Sequence, residues 1–141
     1  IEKYCYNNSS NNCSTYGGLY TWDEMMQYNS GNSQGICPSG WHIPTKTELT
    51  TLKNYVNSDG NALKEVGQGS GTNTSGFSAK LAGFWKPPPN SNYYSMGSEA
   101  NFWSRQQYAN GNWSLYIASN NYVNINTPPP EYAQSVRCIK D

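Results

Sequence analysis

The chain has 141 residues with nine basic and nine acidic side chains, a formal net charge of zero, and no run of either sign. This length favours one domain built around one core, and the balanced charge excludes nucleic acid and anionic membranes as electrostatically attracted partners. The polarity comes from Asn, Ser, Thr, Gly and Gln in a chain with twelve Tyr and five Trp, a composition typical of binding loops and equally of secreted β-rich domains.

The cysteines and the first residue bear on where the protein works. Four Cys without metal-type spacing predict two disulfides. We pair Cys5 with Cys13, which close a local loop, and Cys37 with Cys138, which tie the start of a predicted helix to the last strand. These bonds indicate an oxidising, extracellular or cell-surface location. No apolar run reaches the roughly 20 residues that span a bilayer, and a chain that begins with Ile1 rather than Met is expected to be a processed product or an excised domain.

Two capping boxes predict two helices in the N-terminal half. Thr21 and Glu24 begin a short helix that runs to about Tyr28, and Thr45 and Glu48 begin a longer one that ends before residue 59. The apolar residues of each helix share one face, which we expect to be buried: Trp22, Met25 and Met26 in the first helix, and Leu49, Leu52 and Val56 in the second.

Short strands are predicted in the C-terminal half. Three consecutive prolines at 87–89 cannot lie inside a strand, and beyond them the apolar residues alternate with a period of two around 102–104, 113–118, 122–126 and 136–139. Turn residues at 110–111 and 119–121 separate neighbouring strands. Helices followed by strands predict an α+β fold with a twisted antiparallel sheet in the C-terminal half.

Five short motifs occur in a fixed order along the chain. They are Tyr16–Trp22 (YGGLYTW), Cys37–Pro44 (CPSGWHIP), Gly76–Ala79 (GFSA), Phe102–Ser104 (FWS) and Ser135–Asp141 (SVRCIKD). Together they resemble the Fibrobacter succinogenes major paralogous domain, a family of bacterial extracellular proteins that is itself similar to the C-type lectin fold and to the variable proteins of diversity-generating retroelements. The resemblance implies a single C-type-lectin-like domain over residues 1–141, with ligand contacts made from the C-terminal strands and loops.

One departure from the family concerns the N-terminus. The resemblance implies an upstream strand before the first cysteine, and this chain begins later. We therefore expect one sheet edge to be open, or to be completed by a strand or anchor upstream of Ile1.

The stretch from Tyr108 to Tyr132 gives the sharpest functional prediction. Trp113, Leu115, Ile117, Val123 and Ile125 occupy inward positions, and the other positions of the stretch vary among Asn, Tyr, Ser, Ala, Thr, Pro and Glu. This pattern resembles a retroelement-diversified region, in which surface positions change while core positions are spared; an ordinary solvent-facing strand pair has the same pattern. The predicted ligand-binding residues are Tyr108, Asn110, Ser114, Tyr116, Ala118, Asn120, Tyr122, Asn124, Asn126 and Tyr132.

Side chains suited to catalysis or metal binding are few. His42 is the only histidine, and we expect it to be a partly buried, hydrogen-bonded residue of the scaffold. All four Cys are assigned to disulfides, and the sequence lacks the Glu-Pro-Asn, Gln-Pro-Asp and Trp-Asn-Asp motifs of calcium-dependent lectins. We therefore expect no enzymatic activity, no cofactor and no metal.

The sequence is best interpreted as an extracellular module for ligand binding or adhesion, whose partner is a protein or a glycan at a cell surface. Two alternatives remain open. One is a structural subunit of a surface filament or appendage, which self-associates by strand donation to an open sheet edge. The other is a carbohydrate-binding accessory domain, for which the stacking candidates are Trp85, Trp103 and Trp113.

Overall fold

All 141 residues, Ile1–Asp141, are described in the computed structural model of the protein. Three α-helices and seven short β-strands are connected by long stretches of irregular chain. In chain order the elements are α1 (Ser10–Tyr16), α2 (Trp22–Met25), β1 (Trp41–His42), α3 (Lys46–Tyr55), β2 (Phe84–Lys86), β3 (Asn92–Tyr94), β4 (Glu99–Tyr108), β5 (Gly111–Ala118), β6 (Val123–Asn126) and β7 (Ile139–Lys140), with 3₁₀ helices at Tyr6–Asn8 and Gly60–Leu63. The helices and antiparallel strands confirm the predicted α+β class.

The main sheet has three antiparallel strands in the order β4–β5–β6. Phe102 pairs with Leu115, and Leu115 pairs with Ile125, so apolar side chains from all three strands stand on one face. The register of β4 shifts between Trp103 and Gln107, which is an irregularity of the β-bulge type. Both predicted turns, between β4 and β5 and between β5 and β6, are present.

The core consists mainly of two apolar clusters. The first joins Leu49 of α3 to Leu115 and Ile117 of β5. The second gathers Met25 and its neighbours on α2 around Trp103 of β4, which is fully buried. The predicted buried faces of the two helices therefore pack against different parts of the sheet.

Two tryptophans join α2 to β4 by hydrogen bonds as well as by packing. The indole Nε1 of Trp103 donates to the backbone carbonyl of Tyr20 at 2.8 Å. The indole Nε1 of Trp22 donates to the backbone carbonyl of Ser104 at 2.9 Å. A buried indole N–H without an acceptor is destabilising, so these bonds let two large rings be buried without that cost.

Both predicted disulfides are present. Cys5 is bonded to Cys13, eight residues away, and Cys37 is bonded to Cys138, which is 101 residues away. The second bond fixes the C-terminal segment against the chain that leads into α3.

The last strand is shorter than predicted. Only Ile139 of the predicted strand 136–139 lies in β7, where it pairs with His42 of β1 in a two-stranded antiparallel sheet. Pro44 follows β1 closely and has no N–H to donate, so β1 cannot continue. The residues before Ile139 instead lie beside β4, along the edge that β5 does not occupy. There Ser135 bridges Phe102 in parallel and exchanges backbone hydrogen bonds with Asn101 and Trp103.

The second helix start is confirmed in full. The Thr45 hydroxyl accepts from the Glu48 N–H at 3.1 Å, and the Glu48 carboxylate accepts from the Thr45 N–H at 2.8 Å. This is a complete capping box.

The first helix start is confirmed, but its predicted length is wrong. The Thr21 hydroxyl accepts from the Glu24 N–H at 3.4 Å, whereas the Glu24 carboxylate accepts from the Tyr28 hydroxyl instead of the Thr21 N–H. The helix ends at Met25, because Gln27 and Tyr28 both adopt left-handed backbone conformations.

Helix α1 and strands β2 and β3 were not predicted. Helix α1 consists of Ser, Asn, Cys, Thr and Tyr, which are weak helix formers with no apolar stripe, and it begins inside the loop closed by Cys5 and Cys13. Strands β2 and β3 are three residues each and flank the prolines 87–89. The prolines themselves lie outside both strands, as expected.

We expect the two disulfides to contribute unequally to stability. In the chain-entropy model, a loop of 101 residues corresponds to about 4.7 kcal/mol and one of 8 residues to about 2.5 kcal/mol. Urea unfolding followed by tryptophan fluorescence should therefore show a larger loss in the free energy of unfolding for the Cys37→Ala/Cys138→Ala variant than for Cys5→Ala/Cys13→Ala. An equal or reversed order would contradict this ranking.

His42 joins the C-terminus to the start of α3. Its Nδ1 lies 2.6 Å from a carboxylate oxygen of Asp141, and its Nε2 lies 2.9 Å from a carboxylate oxygen of Glu48. These two hydrogen bonds, that to Asp141 foremost, raise the pKa of His42. Burial alone would raise the pKa of Glu48, but its bonds from the Thr45 N–H, His42 and the Thr45 hydroxyl hold that pKa below its ordinary value.

The free energy of unfolding should depend on pH through this pair. The His42 contribution is fully present below its ordinary pKa of 6.5 and is lost as the pH rises through the raised folded value. The Glu48 contribution is present above the ordinary value of 4.5 and is lost as the pH falls. Urea titrations at a series of pH values should show the free energy of unfolding declining as the pH rises above 6.5, and His42→Gln should flatten that decline. An unchanged slope in the variant would exclude His42 as its source.

Candidate ligand-binding surface

The hairpin formed by β5 and β6 carries most of the residues predicted to bind ligand. Its inward side chains Leu115, Ile117 and Val123 are 5% exposed or less, so the hairpin is anchored in the core. Tyr116 and Asn124 lie directly opposite each other on the other face. The alternation predicted from the sequence is therefore present along this part of the hairpin.

The ten predicted residues differ in exposure. Five are exposed: Tyr108, Asn110, Asn120, Tyr122 and Asn126. Four are partly buried: Tyr116, Ala118, Asn124 and Tyr132. One, Ser114, is buried and 1% exposed.

The prediction that Ser114 faces solvent is wrong. Its hydroxyl donates to the side-chain carbonyl of Gln134 at 2.6 Å, and Gln134 is itself 2% exposed. The C-terminal segment that contains Gln134 covers this end of the sheet, so the outer face is closed there. Neither residue type signals this contact, because a serine and a glutamine 20 positions apart look like surface residues in a sequence.

The remaining predicted residues do not form one patch. Tyr108 and Asn110 lie at the turn before β5, whereas Asn120 and Tyr122 lie at the turn after it. Seven residue steps of about 3.4 Å put these turns roughly 24 Å apart. A ligand that touches both ends would have to run along the hairpin.

Tyr116, Tyr122 and Asn124 come together, and we call them the tyrosine cluster. The rings of Tyr116 and Tyr122 meet edge to face with centroids 5.9 Å apart. The Asn124 amide donates to the Tyr122 hydroxyl at 3.2 Å. Because Tyr122 is still 53% exposed, the cluster presents aromatic area together with amide and hydroxyl groups.

A small cavity of about 180 Å³ adjoins the tyrosine cluster. Tyr116, Asn126 and Tyr132 line it together with Glu99 and Asn101. Burial, with a smaller effect of Glu99, raises the pKa of Tyr116. The Tyr116 hydroxyl therefore remains neutral at physiological pH and can both donate and accept a hydrogen bond.

The opposite turn has a larger polar cleft of about 530 Å³. Tyr108 and Asn110 line it with Asn112 and Glu131, and the Tyr108 ring packs against Trp113 at 4.8 Å. Asn112 is 3% exposed, and its amide nitrogen has no hydrogen-bond partner in the chain. The sequence pattern gave no reason to include Asn112 or Glu131.

Lys64 supports the turn that carries Ala118, Asn120 and Tyr122. The Lys64 side chain is fully buried, and its ammonium group donates to the carbonyls of Ala118, at 2.8 Å, and of Asn120, and to the Asn61 side chain at 2.9 Å. Burial lowers the pKa of Lys64. A lone lysine next to a short apolar run is typically exposed to solvent. The sequence therefore did not predict that Lys64 supports the hairpin turn.

The three tryptophans considered for sugar stacking are largely occupied. Trp103 is fully buried and is excluded as a stacking residue. Trp85 stacks on Tyr4 with centroids 4.2 Å apart, and the ammonium of Lys46 lies 3.7 Å from the Trp113 ring centroid.

The expectation for His42 is confirmed: it is partly buried and both ring nitrogens are hydrogen-bonded. No three or more His, Cys, Asp or Glu side chains stand close enough together to hold a metal ion. None of the helices combines the length and apolar character that crossing a bilayer requires.

Comparison with known families agrees with the order of the five motifs. The family model described as the Fibrobacter succinogenes major domain matches residues 1–140. The chain belongs to this family. The match to this Fibrobacter succinogenes major domain spans both disulfides, the hairpin, the first four motifs and all but the last residue of the fifth. Searches of curated proteins and of solved structures find no match.

Replacing Lys64 should increase the mobility of the turn between β5 and β6 and should lower the stability of the whole protein. Lys64→Met removes three hydrogen bonds donated by the Lys64 ammonium group and leaves two carbonyls without their donor, so we expect the free energy of unfolding to fall by about 2–4 kcal/mol. Amide hydrogen exchange should accelerate over residues 118–122. Lys140→Met, at an exposed lysine, is the matched control and should change neither quantity.

Proposed function

We propose that this protein is an extracellular ligand-binding or adhesion module whose contact surface is the tyrosine cluster. The observation that carries the proposal is the exposed Tyr122 ring beside Tyr116 and Asn124, on a hairpin whose other face is sealed in the core. Tyrosine gives contact area at a low cost in side-chain entropy, and asparagine gives adaptable hydrogen bonds. The partner is a protein or a glycan at a cell surface.

The contacts that hold the hairpin in place do not involve the side chains of the tyrosine cluster. Leu115 and Ile117 are fully buried on the opposite face of β5, and Lys64 fixes the backbone of the turn by bonds to carbonyls. Since none of these contacts uses the outer side chains, residues of the tyrosine cluster can change with small effects on stability. This property would suit a surface that is diversified while its fold is kept.

We also propose a C-type-lectin-like fold and an extracellular location. Support for the fold comes from the α+β order of elements, the antiparallel hairpin in the C-terminal half and the Cys37–Cys138 bond between the chain that leads into α3 and the residue before β7. The location rests on the two disulfides, which form and persist in oxidising compartments.

A structural subunit of a surface filament is the second candidate function. Strand β6 pairs with β5 on one side, and none of the backbone groups of Val123–Asn126 pairs with any other part of the chain. An edge of this kind accepts a donated strand from another copy. Defined polymers in electron micrographs of the concentrated protein would favour this function over the binding module.

The tyrosine cluster predicts a specific loss of binding. The double variant Tyr116→Ala/Tyr122→Ala should reduce binding to a glycan array or to intact cell surfaces by at least about tenfold, because it removes both aromatic contacts. Binding can be measured by fluorescence with labelled protein.

Tyr55→Ala is the matched control. Tyr55 lies on α3 and is 75% exposed, so its removal tests the loss of an exposed tyrosine elsewhere and should leave binding unchanged. Binding that survives in the double variant, or that is lost equally in Tyr55→Ala, would exclude the tyrosine cluster as the contact surface.

A further inference from the structure

A separate pocket lies on another part of the molecule. Its volume is about 430 Å³, and it is enclosed by residues 15–18 after the first disulfide loop, by Phe102 of β4, and by the C-terminal segment 135–138. None of the ten predicted ligand-binding residues lines it. We call it the Arg137 pocket.

Arg137 is an unpaired positive charge in the wall of this pocket. Its Nη1 donates to the backbone carbonyl of Phe77 at 2.6 Å, and the guanidinium lies 4.4 Å from the Phe77 ring centroid and 5.6 Å from that of Phe102. The ion pairs of the chain join His42 to two carboxylates and Lys80 to Glu65, so no carboxylate pairs with Arg137.

The pairing of Arg137 is incomplete in two respects. A guanidinium has five N–H donors, and the one side-chain hydrogen bond that Arg137 makes uses a single one of them. Burial also lowers the pKa of Arg137, which reflects the cost of removing this charge from water without a counter-charge. A bound anion would supply both the acceptors and the missing charge.

Lys80 adds a second positive charge to the same pocket. Its ammonium donates to the backbone carbonyl of Thr15 at 2.9 Å and lies 3.7 Å from a carboxylate oxygen of Glu65. Both side chains of that pair are about 40% exposed, so solvent screens their attraction. No Asp or Glu lines the pocket, which leaves its walls positively charged.

The rest of the wall fits a sugar better than a small inorganic ion. Tyr16, Tyr20 and Phe102 supply aromatic surface, and Ser78 and Ser135 supply hydroxyl groups. Burial raises the pKa of Tyr20, so its hydroxyl stays neutral. The volume lies within the range of small-molecule sites, and an inorganic ion would leave most of the aromatic wall without contact.

We propose that the Arg137 pocket binds a uronic acid unit, with its carboxylate held by Arg137 and Lys80 and its ring against the aromatic wall. A planar guanidinium matches the two oxygens of a carboxylate. The sugar hydroxyls form hydrogen bonds with the serine and tyrosine hydroxyls of the wall. This site is independent of the tyrosine cluster, so the chain has a second binding surface.

NMR titration of the intact protein with glucuronate tests the proposal. Saturable shifts are expected at the backbone amides of Gly17, Gly18 and Ser135, and glucose should produce none. Lys80→Met should weaken glucuronate binding by roughly threefold or more, and Arg137→Lys by about tenfold, because lysine cannot form the two-oxygen contact. Lys140→Met, which removes an exposed charge outside the pocket, should leave the affinity unchanged.

Three outcomes would overturn the proposal: no saturable shift with glucuronate, equal shifts with glucose, or inorganic phosphate binding as tightly as glucuronate. Arg137 packs on two aromatic rings, so Arg137→Lys could misfold, and a loss of binding in a misfolded protein would not be evidence for the proposal. Lys80→Met then decides the result, because Lys80 is 38% exposed. Tyr116→Ala/Tyr122→Ala should retain glucuronate binding, which separates this site from the tyrosine cluster.

Discussion

The covalent bond between Cys37 and Cys138 is the constraint on which the rest of this structure depends. It joins residues 101 positions apart and holds the C-terminal segment against the chain that leads into α3. Regular structure alone would hold this fold weakly, since 50 of its 78 backbone hydrogen bonds lie outside helices and strands. Polar cross-links complete the scaffold: His42 bonds to the last residue, and Lys64 bonds to the hairpin turn.

The two proposed binding surfaces follow from this scaffold in different ways. The tyrosine cluster lies on the outer face of the hairpin, whose backbone is fixed from the inside, and its side chains belong to none of the core clusters. The Arg137 pocket is a concavity bounded on one side by the C-terminal segment, which is held by its disulfide and lies beside β4. The two cationic side chains of the Arg137 pocket select for an anionic ligand, whereas the tyrosine cluster has no charged residue. One surface therefore suits variable partners, and the other suits a single chemical group.

Much of the fold could be predicted because its signals are local. The capping box of Thr45 and Glu48, the alternation along β5 and β6 and the turns beside them are all confirmed. Elements without a local signal were missed. Helix α1 consists of weak helix formers and begins in a disulfide loop, and β2 and β3 are three residues each around a run of prolines. Helix α2 is shorter than predicted because Gln27 and Tyr28 have left-handed backbone conformations. Neither the capping residues nor the apolar spacing indicates these conformations.

The sequence by itself determined the local Cys5–Cys13 pairing, the class of fold, the family motifs and the inward positions of the hairpin. Each depends on spacing or on neighbours a few residues away. Only the tertiary structure decided that Ser114 is buried by Gln134, that Lys64 supports the turn, and that Arg137 lacks a counter-charge. These facts depend on segments far apart in sequence, whose approach is set by the packing of the whole chain and is not encoded by any local pattern.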